Sequence, residues 1–272
     1  MRIQGGVNEK TAKEIVEFLV DSENGLDLLK KQGTINFSFA GVRMRAKKND
    51  IVGNVLQEWL KKVLDKNKIF NIPSDGTQSF PDFYLKSKGK ERDYSEVEGL
   101  CEIKSYNSKR TPAFDVANYD SYIEKLNQNV AILDTKYIIF AYKFEDGKLS
   151  VSNVFCKNIW EITGETEKES LKCQIKKGKV YNIRPVSFTS TRDKVRKPFE
   201  NLEGFLIALY KFTVEQDKGK NIDRNKVWME RICEKYTELH EGDDKVELAV
   251  KKSIEKVAFR TGEKCFVRES GA

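Results

Sequence analysis

The sequence predicts a mixed α/β (α+β) domain with a helical C-terminal region. Three observations carry that reading. A strongly amphipathic helix over residues 50–65 precedes two short apolar strands at 80–86 and 99–106. A hairpin is written around Glu145-Asp146-Gly147-Lys148, where Asp-Gly is a turn signal. Three helical patterns then follow one another at about 199–214, 224–239 and 243–257. The order helix, helix, strands, helix, strands, helices is that of a mixed domain, and 272 residues suffice for one large one. No internal repeat, low-complexity run or clear linker divides it.

Taken in order, residues 8–31 carry apolar positions at helical spacing (Ile15, Phe18, Leu19, Leu26, Leu29), interrupted near Asn24-Gly25. Residues 34–49 alternate Phe37 and Phe39 and then turn basic. In 50–65, Asp50 can cap the helix, and Ile51, Val52, Val55, Leu56, Trp59, Leu60, Val63 and Leu64 form one broad apolar face. Asn67–Gly76 reads as a turn region, and 87–98, being polar, as a surface connection. Residues 115–133 read as helix, and Tyr137–Phe144 with Leu149–Phe155 as the two arms of the hairpin. Asn158–Ile162 reads as one helical turn, 164–178 as a loop or edge hairpin, and Val180 onward as a strand ending at Arg184-Pro185.

Composition narrows the function. The apolar fraction is 39%, with 16 Phe and 10 Tyr, so a sizeable core can form. A third of the residues are charged but dispersed, which argues against disorder. The net charge of +7 suits a polyanionic partner. Five scattered cysteines and the single His240 make a zinc site an unexpected solution, and the cysteines read as reduced thiols. His240 reads as a surface residue at a helix C-terminus, so any chemistry must rest on carboxylates and lysine. The N-terminal residues lack the apolar core of a signal peptide, and no stretch approaches the ~20 apolar residues of a membrane span. A soluble, cytoplasmic protein with no membrane partner is expected.

The chemistry-bearing residues lie in Ser79-Phe80-Pro81-Asp82-Phe83-Tyr84-Leu85 and Gly99-Leu100-Cys101-Glu102-Ile103-Lys104-Ser105. Side chains alternate along a strand, so Leu100, Glu102 and Lys104 share one face and Cys101, Ile103 and Ser105 the other. A carboxylate and an ammonium on an apolar strand are costly to bury unless they pair or hold a metal. Asp82 is the lone acid of its apolar segment. If the two strands are neighbours, Asp82 and Glu102 converge, and two carboxylates are the donor set that magnesium favours. Acidic-x-Lys also occurs at Asp134-Thr135-Lys136, Asp146-Gly147-Lys148 and Asp243-Asp244-Lys245. Those fall at a helix end, a hairpin tip and a helix start, whereas only Glu102-Ile103-Lys104 lies in an apolar strand.

Pro81-Asp82, nineteen intervening residues and Glu102-Ile103-Lys104 resemble the PD-(D/E)xK nuclease superfamily, in particular type II restriction endonucleases. The resemblance implies a restriction-endonuclease-like mixed central sheet flanked by helices. It also implies Mg2+ as cofactor, with Asp82 and Glu102 as metal ligands and Lys104 assisting the attacking water, and products with 5′-phosphate ends. Many members bring an acidic residue from the preceding helix to the metal, which points to Glu58. Asp75 rivals Asp82, but its Pro-Ser-Asp-Gly setting reads as a turn. Tyr181-Asn182-Ile183-Arg184-Pro185 and the Ser/Thr-rich basic run after it resemble the NgoBV-like group.

Three basic segments are candidates for holding double-stranded DNA: Arg43, Arg45 and Lys47 ahead of the long helix; Lys109 and Arg110 leaving the catalytic strand; and Arg184, Ser187, Thr189, Thr191, Arg192, Lys194, Arg196 and Lys197. The chain then reads as a single domain over 1–272, with N-terminal helices at 1–65, a catalytic core at 66–160 and a recognition and helical region at 161–272. The resemblance further implies a homodimer on a two-fold site. Two other readings stay open: a repair or junction-resolving nuclease without sequence specificity, and a DNA-binding protein without catalysis.

Overall fold

The computed structural model describes residues 16–17, 19, 26–31, 33–40, 42–45, 51–66, 70–73, 80–86, 99–190, 196–258 and 265–267. They form two compact units. The first holds the described residues up to Phe114 together with Thr135–Lys157, and the second Asp115–Asp134 together with those from Asn158 onward.

The first unit is a six-stranded mixed sheet with one long helix. Its elements are α1 (Leu26–Lys30), β1 (Gly33–Thr34), β2 (Asn36–Phe39), β3 (Val42–Arg45), α2 (Val52–Lys66), β4 (Phe70–Pro73), β5 (Phe83–Lys86), β6 (Gly99–Asn107), β8 (Lys136–Glu145) and β9 (Lys148–Lys157), with β7 (Ala117–Asn118) lying in the second unit. The sheet order is β1-β9-β8-β6-β5-β4, and β2 pairs with β3 as a separate hairpin. Strands β6 and β8 are parallel; the other pairings in the sheet are antiparallel. The apolar run of β8, Tyr137–Tyr142, is buried throughout, as a central strand covered on both faces requires. The hairpin turn places Asp146 at φ 50° and Gly147 at φ 74°, both left-handed, which matches the twist of the strands it joins.

Helix α2 buries Val52, Leu56, Leu60 and Leu64, a stripe at every fourth residue. The stripe packs on Phe83, Leu85, Cys101, Ile103, Ile138 and Phe140. Trp59 adds an edge-on contact to Phe140 at 6.3 Å. Cys101 and Ile103 thus face the core beneath α2, which leaves Leu100, Glu102 and Lys104 on the opposite face of β6. Asp50 and the connection at 87–98 lie outside the described residues.

The second unit holds β7, α3 (Tyr119–Gln128), a 3-10 turn at Val130–Asp134, β10 (Cys173–Lys176), β11 (Lys179–Ile183), α4 (Leu202–Gln216), α5 (Ile222–Leu239), α6 (Lys245–Ile254), β12 (Val257–Ala258) and β13 (Phe266–Val267). Strands β10-β11-β7 form a small sheet, and β12 pairs with β13. All three C-terminal helices are present, and α4 is the most buried of them.

Several elements differ from the sequence reading. Asn67–Gly76 is not simply a turn, because Phe70–Pro73 pairs with β5 at the sheet edge, where Pro73 is tolerated. Residues 115–133 are not one helix. Ala117–Asn118 pair with β11, and the Asn118 side chain accepts from Ser121 N, which starts the helix only at Tyr119. Asn158–Ile162 does close a single turn, with Glu161 N donating to Asn158 O and Thr163 N to Ile159 O. His240 does end α5, but its side chain is held: Nε2 lies 3.0 Å from Asp134 Oδ2, Tyr236 OH donates to Asp134 Oδ1 at 2.8 Å, and the Tyr236 and His240 rings stand 4.2 Å apart.

The hydrogen bond to Asp134 raises the His240 pKa above its ordinary 6.5 against the opposing effect of burial. A raised folded-state pKa gives stability that is full below pH 6.5 and is lost as the pH climbs through the folded value. His240→Asn should therefore cost about 1–2 kcal/mol in urea unfolding at pH 6 and distinctly less at pH 8.5; a cost independent of pH would contradict the charged pair.

Candidate active site

Strand β5 pairs with β6 in the register Phe83↔Cys101, Tyr84↔Leu100 and Leu85↔Gly99. One step beyond the Phe83↔Cys101 pair, Asp82 comes opposite Glu102. There the backbone ladder is replaced by an exchange between backbone and side chains. Asp82 N donates to Glu102 Oε2 at 2.9 Å, and Ile103 N donates to Asp82 Oδ2 at 2.7 Å. Each carboxylate is thereby fixed by the other strand's peptide. The preceding Phe80–Pro81 bond is cis, and the Phe80 ring packs against Tyr137 at 6.2 Å.

Lys104 Nζ meets Glu102 Oε1 at 2.5 Å. Asp82 Oδ1 accepts from Gln57 Nε2 at 2.9 Å. The structure thus brings together Asp82, Glu102 and Lys104, the three residues read from the sequence, and adds Gln57, which that reading missed. Glu58 is exposed and is not drawn into this cluster. The reason lies in the helix. The buried stripe is centred between Leu56 and Leu60, and at about 100° per residue Gln57 falls about 80° from that centre while Glu58 falls on the opposite side. Ile51 and Val55, the apolar residues nearest Glu58 around the helix, are only half-buried.

The electrostatics follow from burial. Glu102 is only 5% exposed. Desolvation pushes its carboxyl up to about 7, with the Asp82 charge adding to the rise and Lys104 opposing it. Burial also raises Asp82, against the hydrogen bonds from Ile103 and Gln57 and the charge of Lys104. Two carboxylates facing one ammonium leave an excess negative charge in a water-poor place. Each carboxylate oxygen has one hydrogen-bond partner here and retains acceptor capacity for a second. A hard divalent cation suits that donor set in charge and in ligand type.

The basic candidates fare differently. Arg43 and Arg45 lie on β3; Lys47, Thr191, Arg192, Lys194 and the rival acid Asp75 are outside the described residues. Lys109 and Arg110 are exposed just beyond β6, with Lys109 Nζ on the Glu145 carboxylate. Arg184 pairs through Nη1 with Asp115, and Arg196 Nη2 lies 3.5 Å from Glu167. Ser187 is half-buried, whereas Thr189 and Lys197 are exposed.

Comparison with known proteins is consistent across sequence and structure. The chain is 33% identical over 227 residues to the type II restriction enzyme NlaIV of Neisseria lactamica, covering 83% of this chain and 89% of that protein. It is 32% identical over 154 residues to the type II restriction enzyme NgoBV of Neisseria gonorrhoeae, 56% of this chain and 82% of that one. The solved NlaIV restriction endonuclease superposes with a TM-score of 0.74 at 30% identity, over 88% of this chain and 95% of its own. With the family model of the NgoBV restriction endonuclease matching residues 9–255, the chain belongs to the NgoBV restriction endonuclease family.

Proposed function

We propose that the protein cuts double-stranded DNA at a specific sequence by magnesium-dependent hydrolysis of a phosphodiester bond, with Asp82, Glu102 and Lys104 at the reacting centre. Membership of a restriction endonuclease family supports the reaction class. The observation that most supports the residue roles is the buried acid pair, clasped across β5 and β6 with Lys104 on Glu102.

In this reading Asp82 and Glu102 hold the ion. When bound, magnesium polarises the scissile phosphate and lowers the pKa of a coordinated water. The chain's own groups do the rest. The Ile103 and Asp82 peptides orient the two carboxylates before substrate arrives, so little reorganisation is needed. Gln57 holds the remaining oxygen of Asp82 and serves as a positioning residue. Lys104, only 19% exposed, presents an ammonium beside Glu102, where it can orient the attacking water or offset charge developing on phosphorus. Attack in line with the leaving 3′ oxygen gives 5′-phosphate and 3′-hydroxyl ends. Lys109 and Arg110, which leave β6 directly, suit phosphate contact, and the segment 184–197 suits base reading. A homodimer would match the two-fold symmetry of a palindromic site. Among the described residues no helix is long and apolar enough to cross a membrane.

Asp82→Ala or Glu102→Ala should lower magnesium-dependent cleavage of unmethylated duplex DNA by at least about a thousandfold, with unfolding still cooperative; discrete bands from either variant would remove the assignment. EDTA should abolish cleavage by the unaltered protein, and a smear in place of bands would favour a nuclease without sequence choice.

The Glu102 shift gives a second test. Its carboxyl moves from 4.5 to about 7 on folding, so the metal-free protein loses stability as pH rises through that window, by about 3 kcal/mol when complete. Magnesium binds the ionised form. Its thermal stabilisation should be large at pH 8, nearly absent at pH 5.5, and absent at both in Glu102→Gln; equal stabilisation at both pH values in the unaltered protein would contradict the ligand role.

A further inference from the structure

The second unit carries a cationic hollow that the reacting centre does not use. On α5, Arg224, Trp228, Arg231 and Lys235 follow one another at intervals of four, three and four residues, so they share one helix face. With Asn127 from α3 they line a cavity of about 360 Å³. Arg224 and Arg231 are exposed and Lys235 is half-buried. Trp228 is pinned in place by its Nε1, which donates to Asn127 Oδ1 at 2.6 Å. Val227, beside the stripe, is 63% exposed.

Charge decides what this hollow accepts. Among the described residues none of its three cations takes part in an ion pair. Two carboxylates on the adjoining flank of α5 are engaged elsewhere, Glu230 with Lys226 at 3.9 Å and Glu234 with Lys251 at 3.0 Å, and Glu238 stands exposed one turn beyond Lys235, at the end of the run. No carboxylate lines the hollow itself. Asp120 and Glu124 line a neighbouring one of about 460 Å³, beyond Trp228, where only Arg224 supplies a positive charge. The cationic run from Arg224 to Lys235 covers roughly 16 Å along the helix axis. Adjacent phosphates of one DNA strand rise roughly 3.4 Å along the duplex, so a run of that length can face several of them.

We infer that the Arg224–Trp228–Arg231–Lys235 face of α5 is a contact surface for the DNA backbone, binding phosphates without reading bases. This rests on the reading of the protein as a nuclease of double-stranded DNA and names a part of the chain that holds that substrate. The cations act as point charges and release counterions from the duplex, and the indole supplies an apolar floor between them.

The test is duplex DNA binding by fluorescence anisotropy in EDTA, across a salt series, for the unaltered chain and for R231Q/K235Q. Losing two phosphate contacts should flatten the slope of log K against log salt by about 2 and weaken binding about tenfold near physiological salt, on specific and unrelated duplexes alike. R231K, which keeps the charge, should hold the slope. K226Q, on the far side of α5 and equal in charge change to one of the two substitutions, should leave it unchanged. An unchanged slope in R231Q/K235Q, with thermal unfolding like that of the unaltered chain, would overturn the inference. So would a variant that binds DNA normally but sediments as a smaller species, which would give this face to a second copy of the chain. Failure of the parent reading shows separately, as an unaltered protein that neither binds nor cuts duplex DNA with magnesium.

Discussion

Where β5 parts from β6, two peptides and two carboxylates exchange hydrogen bonds, and the rest of the candidate site depends on that exchange. Asp82 N holds Glu102, and Ile103 N holds Asp82. An unpaired carboxylate in the place Glu102 occupies would carry a desolvation cost of several kcal/mol. The hydrogen bond from Asp82 N and the Lys104 ammonium offset part of it, and the raised Glu102 pKa reflects what remains. The residual cost is what a divalent cation would relieve. The same burial that destabilises the metal-free acid pair would therefore favour its taking up one.

The scaffold keeps that exchange in register. The α2 stripe presses on Cys101 and Ile103, the residues that alternate with Glu102 and Lys104, so the pleat sends the charged pair to the opposite face. A slip of one residue would bury Lys104 under α2 and expose Ile103. The parallel pairing of β6 with the apolar β8 sets Glu102 beside Tyr137 and Lys104 beside Ile139, and this keeps water from that stretch. In the second unit a different acid, Asp134, is satisfied wholly from α5 by Tyr236 and His240. Asp134-Thr135-Lys136 and Glu102-Ile103-Lys104 share a pattern, but the first acid is spent on a structural network and the second faces Lys104 and Asp82.

Much of this was legible in the sequence, because ionisable residues inside apolar strands are expensive and so conspicuous. Asp82, Glu102 and Lys104 stood out for that reason, and strand alternation assigned the faces correctly. The Asp-Gly hairpin and the C-terminal helices were legible from local rules that need no partner. What escaped depends on partners far away in the chain. Strand β4 is four residues ending in Pro73 and is a strand only because β5 lies beside it. Strand β7 is two residues, defined by β11. Gln57 and Glu58 differ by one position, and only the packing of α2 decides which one sits at the margin of the buried stripe. The reciprocal bonds between Asp82 and Glu102 depend on the β5–β6 register, which no local pattern encodes.

Glu102 is held buried, clasped across two strands and poised near neutrality. Carbon-13 NMR of the glutamate carboxyls in metal-free protein measures this directly, with the Glu102 signal identified by its loss in Glu102→Gln. The expected midpoint lies near pH 7 and falls by more than a unit when magnesium is added. A midpoint near 4.5, unmoved by magnesium, would describe a solvated surface glutamate and would contradict it.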